Sequence, residues 1–154
     1  MKKEKLMTKK NSLISMLALF LVLAAHFSVL AADEAYGPQK VVYHFNSNNP
    51  QTNNVGLKNI QNHLNALPKG QLSIEAVVNS AGWEMVGKAK ADPQQVEKMQ
   101  ALIDQGVVFK MCRNTLNDNK LDATTDLAIP MTVVPAGVAE LTKLQMAGYA
   151  YIKP

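Results

Sequence analysis

Apolar residues change their spacing several times along the chain, and the changes mark out alternating strands and helices. Residues 40–45, KVVYHF, are rich in β-branched and aromatic side chains and predict a first strand. The polar run NSNNPQTNN follows and reads as a loop punctuated by Pro50. Over 52–67, Leu57, Ile60, Leu64 and Leu67 recur at helical spacing and give one apolar face, which Pro68-Lys69-Gly70 stops. Residues 72–78, LSIEAVV, predict the second strand, with a loop or short helix around NSAGWEMVGKA behind it. Asp92-Pro93 then opens a helix for a physical reason. The aspartate accepts free backbone amides, and proline fits a first turn that needs no N–H from it. Val96, Met99 and Ile103 line that helix, and Gly106 closes it. Residues 107–111 predict a third strand and 131–134 a fourth. The stretch between them is less regular, with a short helix within TLNDNKLDATTDLA. Residues 137–147 form a helix presenting Val138, Leu141 and Leu144, Gly148 ends it, and 149–152 make a last short strand.

Strands that alternate with helices of ten or more residues require crossover connections and a mainly parallel sheet. Three of the strands are nearly continuous in apolar residues, as expected when both faces are covered. The pattern therefore predicts an α/β fold, a three-layer α/β/α sandwich of about five strands, flavodoxin-like in character, as a single domain over 40–154. In such sheets ligands gather outside the carboxyl ends of the strands.

The N-terminus changes how the charge is read. Lys2, Lys3, Lys5, Lys9 and Lys10 precede an apolar run, 13–30, that ends in the small residues Ala31 and Ala32. This predicts a cleaved secretory signal over 1–31, followed by a flexible leader at 32–39. The expected location is periplasmic or secreted, with no membrane association after cleavage. Of 16 basic and 12 acidic residues, five lysines and one glutamate lie in 1–31, so the remainder holds 11 of each. A neutral domain gives no electrostatic footprint for a nucleic-acid partner. The 123 residues from Ala32 onward can bury an adequate core without disulfides or a structural metal.

Candidate chemistry centres on Cys112, the single cysteine, which the pattern places where the third strand ends. One reading makes it a reactive thiolate, favoured by free amides and the dipole of a following helix, with Asn114 and Thr115 as hydrogen-bond partners and Arg113 as a nearby positive charge. The other makes it a small hydrophobe that finishes a core strand. An odd cysteine in an exported chain fits an intermolecular bond, a reactive thiol or a buried inert one. His44, near the end of the first strand, approaches the same edge. With Cys112 and Met111 or Met131 it would make a soft-metal site conceivable, but ligand spacing for a metal is lacking and none is expected. His63 reads as solvated surface and Trp83 as packing over a strand end. Asp118, Asp122 and Asp126 read as a solvated face without the glycine and glutamate of a calcium loop. There is no phosphate-binding glycine loop, no G-x-S-x-G and no cofactor motif.

Four stretches, VVYHFN, NIQNHLNALPKGQLSIEAVVNSAGWEMV, GVVFKMCRNTL and VVPAGVAELTKLQMAGYAYIKP, together resemble the DsrE/DsrF-like family of sulfur-relay proteins. The resemblance runs over nearly all of 40–154, and its most specific pieces are Cys-x-Asn-Thr-Leu and the C-terminal P-x-G-V-x-E-L-x-x-L-Q-x-x-G-Y-x-Y-I. It implies a small α/β/α domain that assembles as a homotrimer or homohexamer. It also implies a cysteine, here Cys112, that carries sulfur as a persulfide between a donor and an acceptor protein, with Asn114 and Thr115 shaping its loop. A carrier of this kind needs one cysteine, which accounts for the missing intramolecular partner. Many relatives carry a His-Gly-like turn after the second strand, where this sequence has Asn79-Ser80. Asn79 thereby joins the candidate pocket residues. The alternative is a non-catalytic oligomeric module that binds a small molecule or partner and keeps Cys112 as a structural residue.

Overall fold

The computed structural model describes residues 36–154. Strands β1 (Gln39–Phe45), β2 (Leu72–Val78), β3 (Val108–Cys112), β4 (Thr132–Val134) and β5 (Ala150–Ile152) form one sheet in the order β4-β3-β2-β1-β5. Every neighbouring pair is parallel. Each connection must therefore cross a face of the sheet, and α1 (Pro50–Ala66), α2 (Pro93–Asp104), α3 (Arg113–Asp118) and α4 (Gly137–Met146) make these crossings. A 3-10 turn, Ser80–Met85, follows β2. The expected α/β architecture is the observed one. The predicted signal peptide and most of the leader lie outside the described residues. Among the described residues no helix is long and apolar enough to cross a membrane.

The alternation of side chains along β1 divides the core into two unequal parts. Val41, Tyr43 and Phe45 point to the α1–α2 face, where they meet Leu57, Ile60, Met99 and Leu102 in the larger apolar cluster. Val42 points the other way and joins Val77, Leu141 and Leu144 beneath α4. Full burial of one such side chain contributes about 1.5–3 kcal/mol, so the α1–α2 face supplies most of the hydrophobic stabilisation. The α4 face also buries charge. Lys110 on β3 lies between Glu75 on β2 and Glu140 on α4, and Lys143 approaches the second oxygen of Glu140 at 3.5 Å.

Local chemistry explains where the boundaries fall. The first helix begins at Pro50, two residues earlier than the apolar spacing predicts, because Asn49 accepts the Thr52 amide at 3.0 Å and Pro50 occupies the first turn. What reads as a polar loop is a capped helix start. Asp92 acts as expected, accepting the Gln94 amide at 3.0 Å ahead of Pro93. The predicted short helix after β3 begins at once, at Arg113. His63 is not free surface: it is half-buried and bonds the Tyr43 hydroxyl at 3.2 Å and Gln39 Oε1 at 2.7 Å. Its position on α1 places it over β1, where the strand offers both partners.

Candidate functional site

Parallel register brings the carboxyl ends of the strands level. Phe45 pairs with Val78, Val78 with Met111, and Cys112 with Val134. The residues that leave these strands consequently share one edge, and Cys112 stands there between the end of β3 and the start of α3. It occupies the N-cap position of that helix, the place where a side chain meets amides with no intrahelical partner.

The thiol is buried, 5% exposed. Burial pushes its ionisation upward, but four donors outweigh that effect: the backbone amides of Gly137, Thr115 and Asn114, and the Thr115 hydroxyl. The net result is a thiol more acidic than an ordinary cysteine. Thr115 is well placed for this part. Its oxygen already accepts the Ser80 amide at 2.9 Å, which leaves the hydroxyl proton for the sulfur. Asn114 contributes through its backbone, since its side chain is exposed. Arg113 is exposed as well and is not among the groups that make the thiol acidic.

Gly137, the first residue of α4, is the residue that sequence reasoning missed. A Cβ at this position would lie 3.1 Å from Asn79 Cβ, 3.2 Å from Cys112 Cβ and 3.3 Å from Asn79 Nδ2. A side chain here would crowd Cys112 and Asn79, so glycine lets the helix start lie close beside the sulfur without displacing them. The sequence signal was a glycine opening the final helix, but its meaning depends on which strand end it meets.

Asn79 and His44 complete the edge. His44 Nε2 donates to Asn79 Oδ1 at 2.9 Å, while its Nδ1 accepts the Tyr151 hydroxyl at 2.7 Å. Both ring nitrogens are engaged, so the imidazole that a soft-metal site would need is already committed. Among the described residues no cluster of three or more His, Cys, Asp or Glu side chains is arranged to hold a metal. Burial lowers the His44 pKa below its ordinary value, opposed by the Asn79 bond and reinforced by Lys153. Lys153 also donates to the His44 carbonyl at 3.3 Å. Ser80 adopts φ +48°, a left-handed conformation that favours glycine, which is the residue expected there from relatives with a His-Gly turn.

The Lys110 network lies on the same sheet face, two residues before Cys112. Burial alone would lower the Lys110 pKa, but the bond to Glu140 and the negative charges of Glu75 and Glu140 beside it hold it above the ordinary lysine value. Lys110 in turn holds the Glu140 carboxyl low. The contact with Glu75 Oε2 is an ion pair without hydrogen-bond alignment. Glu140 lies one turn beyond Gly137, so this network fixes the start of α4 relative to β3.

Comparison with known proteins agrees with this architecture. A protein of unknown function from Methanobacterium thermoautotrophicum, MTH1491, is 29% identical, with 75% of this chain and 99% of that one aligned and a TM-score of 0.68. The YchN protein of E. coli shares the fold at 14% identity, with 75% and 99% aligned and a TM-score of 0.55. No curated protein matches the sequence. The sequence pattern of the DsrE/DsrF-like family matches residues 39–154. The chain belongs to the DsrE/DsrF-like family.

Proposed function

We propose that this protein is an exported sulfur carrier that works through a persulfide on Cys112. The observation that supports the reading is the position of a lone, buried cysteine at the carboxyl edge of the sheet, at the start of a helix, where neighbouring backbone amides and the Thr115 hydroxyl hold its thiol below the ordinary cysteine range. Donors of this kind favour the thiolate, the form that attacks sulfur. The Cys112 thiolate attacks the outer sulfur of a donor persulfide, R–S–SH. An S–S bond forms at Cys112, the donor's S–S bond breaks, and R–S⁻ leaves with the electron pair. The product is Cys112–S–SH, and no electron is gained or lost overall. Attack by an acceptor thiolate on the outer sulfur returns Cys112 as thiolate. The partners are therefore a sulfur donor and an acceptor, each supplying its own thiol. Self-association into trimers or hexamers and export through residues 1–31 belong to the same proposal.

Intact-mass measurement after exposure to a sulfane-sulfur donor tests it. Wild type gains one sulfur atom and Cys112→Ser gains none. Equal gain by both, or gain by neither, removes the carrier reading.

The 5% exposure of Cys112 favours a second reading, a binding module in which the cysteine only packs. That reading predicts slow alkylation of the folded protein at every pH and normal alkylation after denaturation. Rapid alkylation of the folded protein eliminates it.

A further inference from the structure

We propose that the groove between α1 and α2 binds a small apolar monoanion, a straight-chain carboxylate whose tail lies on Leu57, Ala101 and Leu102 and whose charge meets Lys58. The inference is independent of the carrier reading, because the groove lies on the opposite face of the sheet from Cys112.

The groove follows from how the two helices are joined. Both cross the same face between parallel strands, so they run parallel, and their cross-links keep one register. Gln95 Nε2 donates to the Pro50 carbonyl at 3.3 Å and Lys98 Nζ to Asn54 Oδ1 at 3.0 Å. Gln61 and Gln105 exchange side-chain amide bonds at 3.0 and 2.9 Å. The links at Asn54 and Gln61 are two helical turns apart, about 10 Å along the axis. Such bonds hold the helices side by side without filling the seam between them. Midway between Lys98 and Gln105 the residue on α2 is Ala101, on the same helical face. Its methyl does not reach across, and a hollow of about 520 Å³ remains over Leu57 and Leu102. Val55, 54% exposed, forms part of the wall.

Size and charge together select the occupant. Sites for small molecules run to about 300–1,000 Å³ and are mostly apolar with a few polar groups. This hollow has the volume and the apolar floor. Lys58 and Lys98 line it, and no carboxylate does. Lys98 is tied to Asn54, whereas Lys58 has neither a hydrogen bond nor an ion pair among the described residues. An apolar tail would take Val55 and Ala101 out of water, and an anionic head would pair with Lys58. A second copy fits poorly, since two-fold pairing through this groove sets Lys58 and Lys98 against their own counterparts. A partner's helix is disfavoured as well. About 10 Å accommodates two turns, which bury far less than a stable protein interface requires.

The test is isothermal titration of the full chain with octanoate and, as the uncharged comparison, octanol, in wild type, K58E and A101L. Position 101 is exposed, so leucine there fills the groove without entering the core. The expected result is one saturable octanoate site in wild type, about fivefold weaker in K58E with octanol unaffected. In A101L both ligands should bind roughly tenfold more weakly. Absence of a saturable site in wild type would overturn the proposal, as would an A101L variant that binds like wild type. Equal octanoate affinity in wild type and K58E would remove the charge contact, and the proposal with it. Octanoate affinity that falls as protein concentration rises would assign the groove to a second copy instead. Circular dichroism checks the folding of each variant. If A101L does not fold, the contrast between octanoate and octanol in K58E decides alone.

Discussion

The two faces of the sheet are built on opposite principles. On the α1–α2 side, residues from three strands and three helices interlock in an apolar mass with Ile60, Met99 and Met111 fully buried. On the α4 side a single helix covers a thin apolar patch, and the space beside it holds Lys110, Glu75, Glu140, His44, Asn79 and Cys112. Apolar packing gives stability without direction. Hydrogen bonds and ion pairs, in contrast, fix particular atoms at particular distances, at a cost that the thick face has to offset. The difference teaches that the sheet keeps stability on one side and positional control on the other. A thiol governed by three amides belongs on the second.

That division can be broken in stages. Phe45→Ala on the thick face should cost the most, about 3–5 kcal/mol in urea unfolding, because a fully buried ring leaves a cavity. A loss under about 1 kcal/mol would show that this face is not the main support.

Glu140→Ala should cost less, about 1–3 kcal/mol, since Lys110 keeps Glu75 as partner. Its more informative effect is on Cys112. Removing a negative charge would by itself make the thiol more acidic, whereas releasing the start of α4 makes it less acidic. We expect the second effect to win, read as an alkylation midpoint that moves upward. A downward shift would show that the network acts on the thiol only through its charge.

Gly137→Ala should cost about 1–2 kcal/mol by overpacking and should also raise the Cys112 midpoint, because the new methyl pushes the Gly137 amide from the sulfur. Unchanged alkylation with lowered stability would separate packing from the chemistry.

Acidification gives a milder test. His44 has a folded pKa below its ordinary 6.5, so the unfolded chain binds the proton first as pH falls. Its contribution is complete above about 6.5 and declines as pH drops toward the folded value. Burial lowers His63 too, in the same direction. Melting temperature should fall below that pH in wild type and fall less in His44→Gln, and parallel curves would exclude His44 as a source. The smallest effect belongs to Ser80→Gly. Relief of the left-handed backbone and the greater freedom of the unfolded glycine nearly cancel, leaving a change within about 1 kcal/mol.

Much of the fold was legible because it depends on local periodicity. Asp92-Pro93 announces a helix that is then capped as expected, and the apolar runs of β1, β2 and β3 imply coverage on both faces. Asn49-Pro50 carries the same type of signal but was hidden in a polar stretch. The site was legible only where one residue told its own story. Cys112 at a strand end was such a residue. The bond from His44 to Tyr151 joins positions 107 residues apart. Glu140 reaches Lys110 across 30, and the meaning of Gly137 appears only when α4 lies against β3. These relations depend on sheet order, which spacing along the chain does not encode.

The outer strands set a limit on how copies of this protein can combine. β4 and β5 are the two borders of the sheet, each only three residues long, and Pro130 and Pro135 flank β4 without an N–H to offer. A neighbouring chain would find little backbone to extend. Continuous sheets running from subunit to subunit are therefore disfavoured. A trimer or hexamer of the proposed kind has to form through side chains on helices and faces, which leaves each sheet, and the edge that carries Cys112, a separate unit within the assembly.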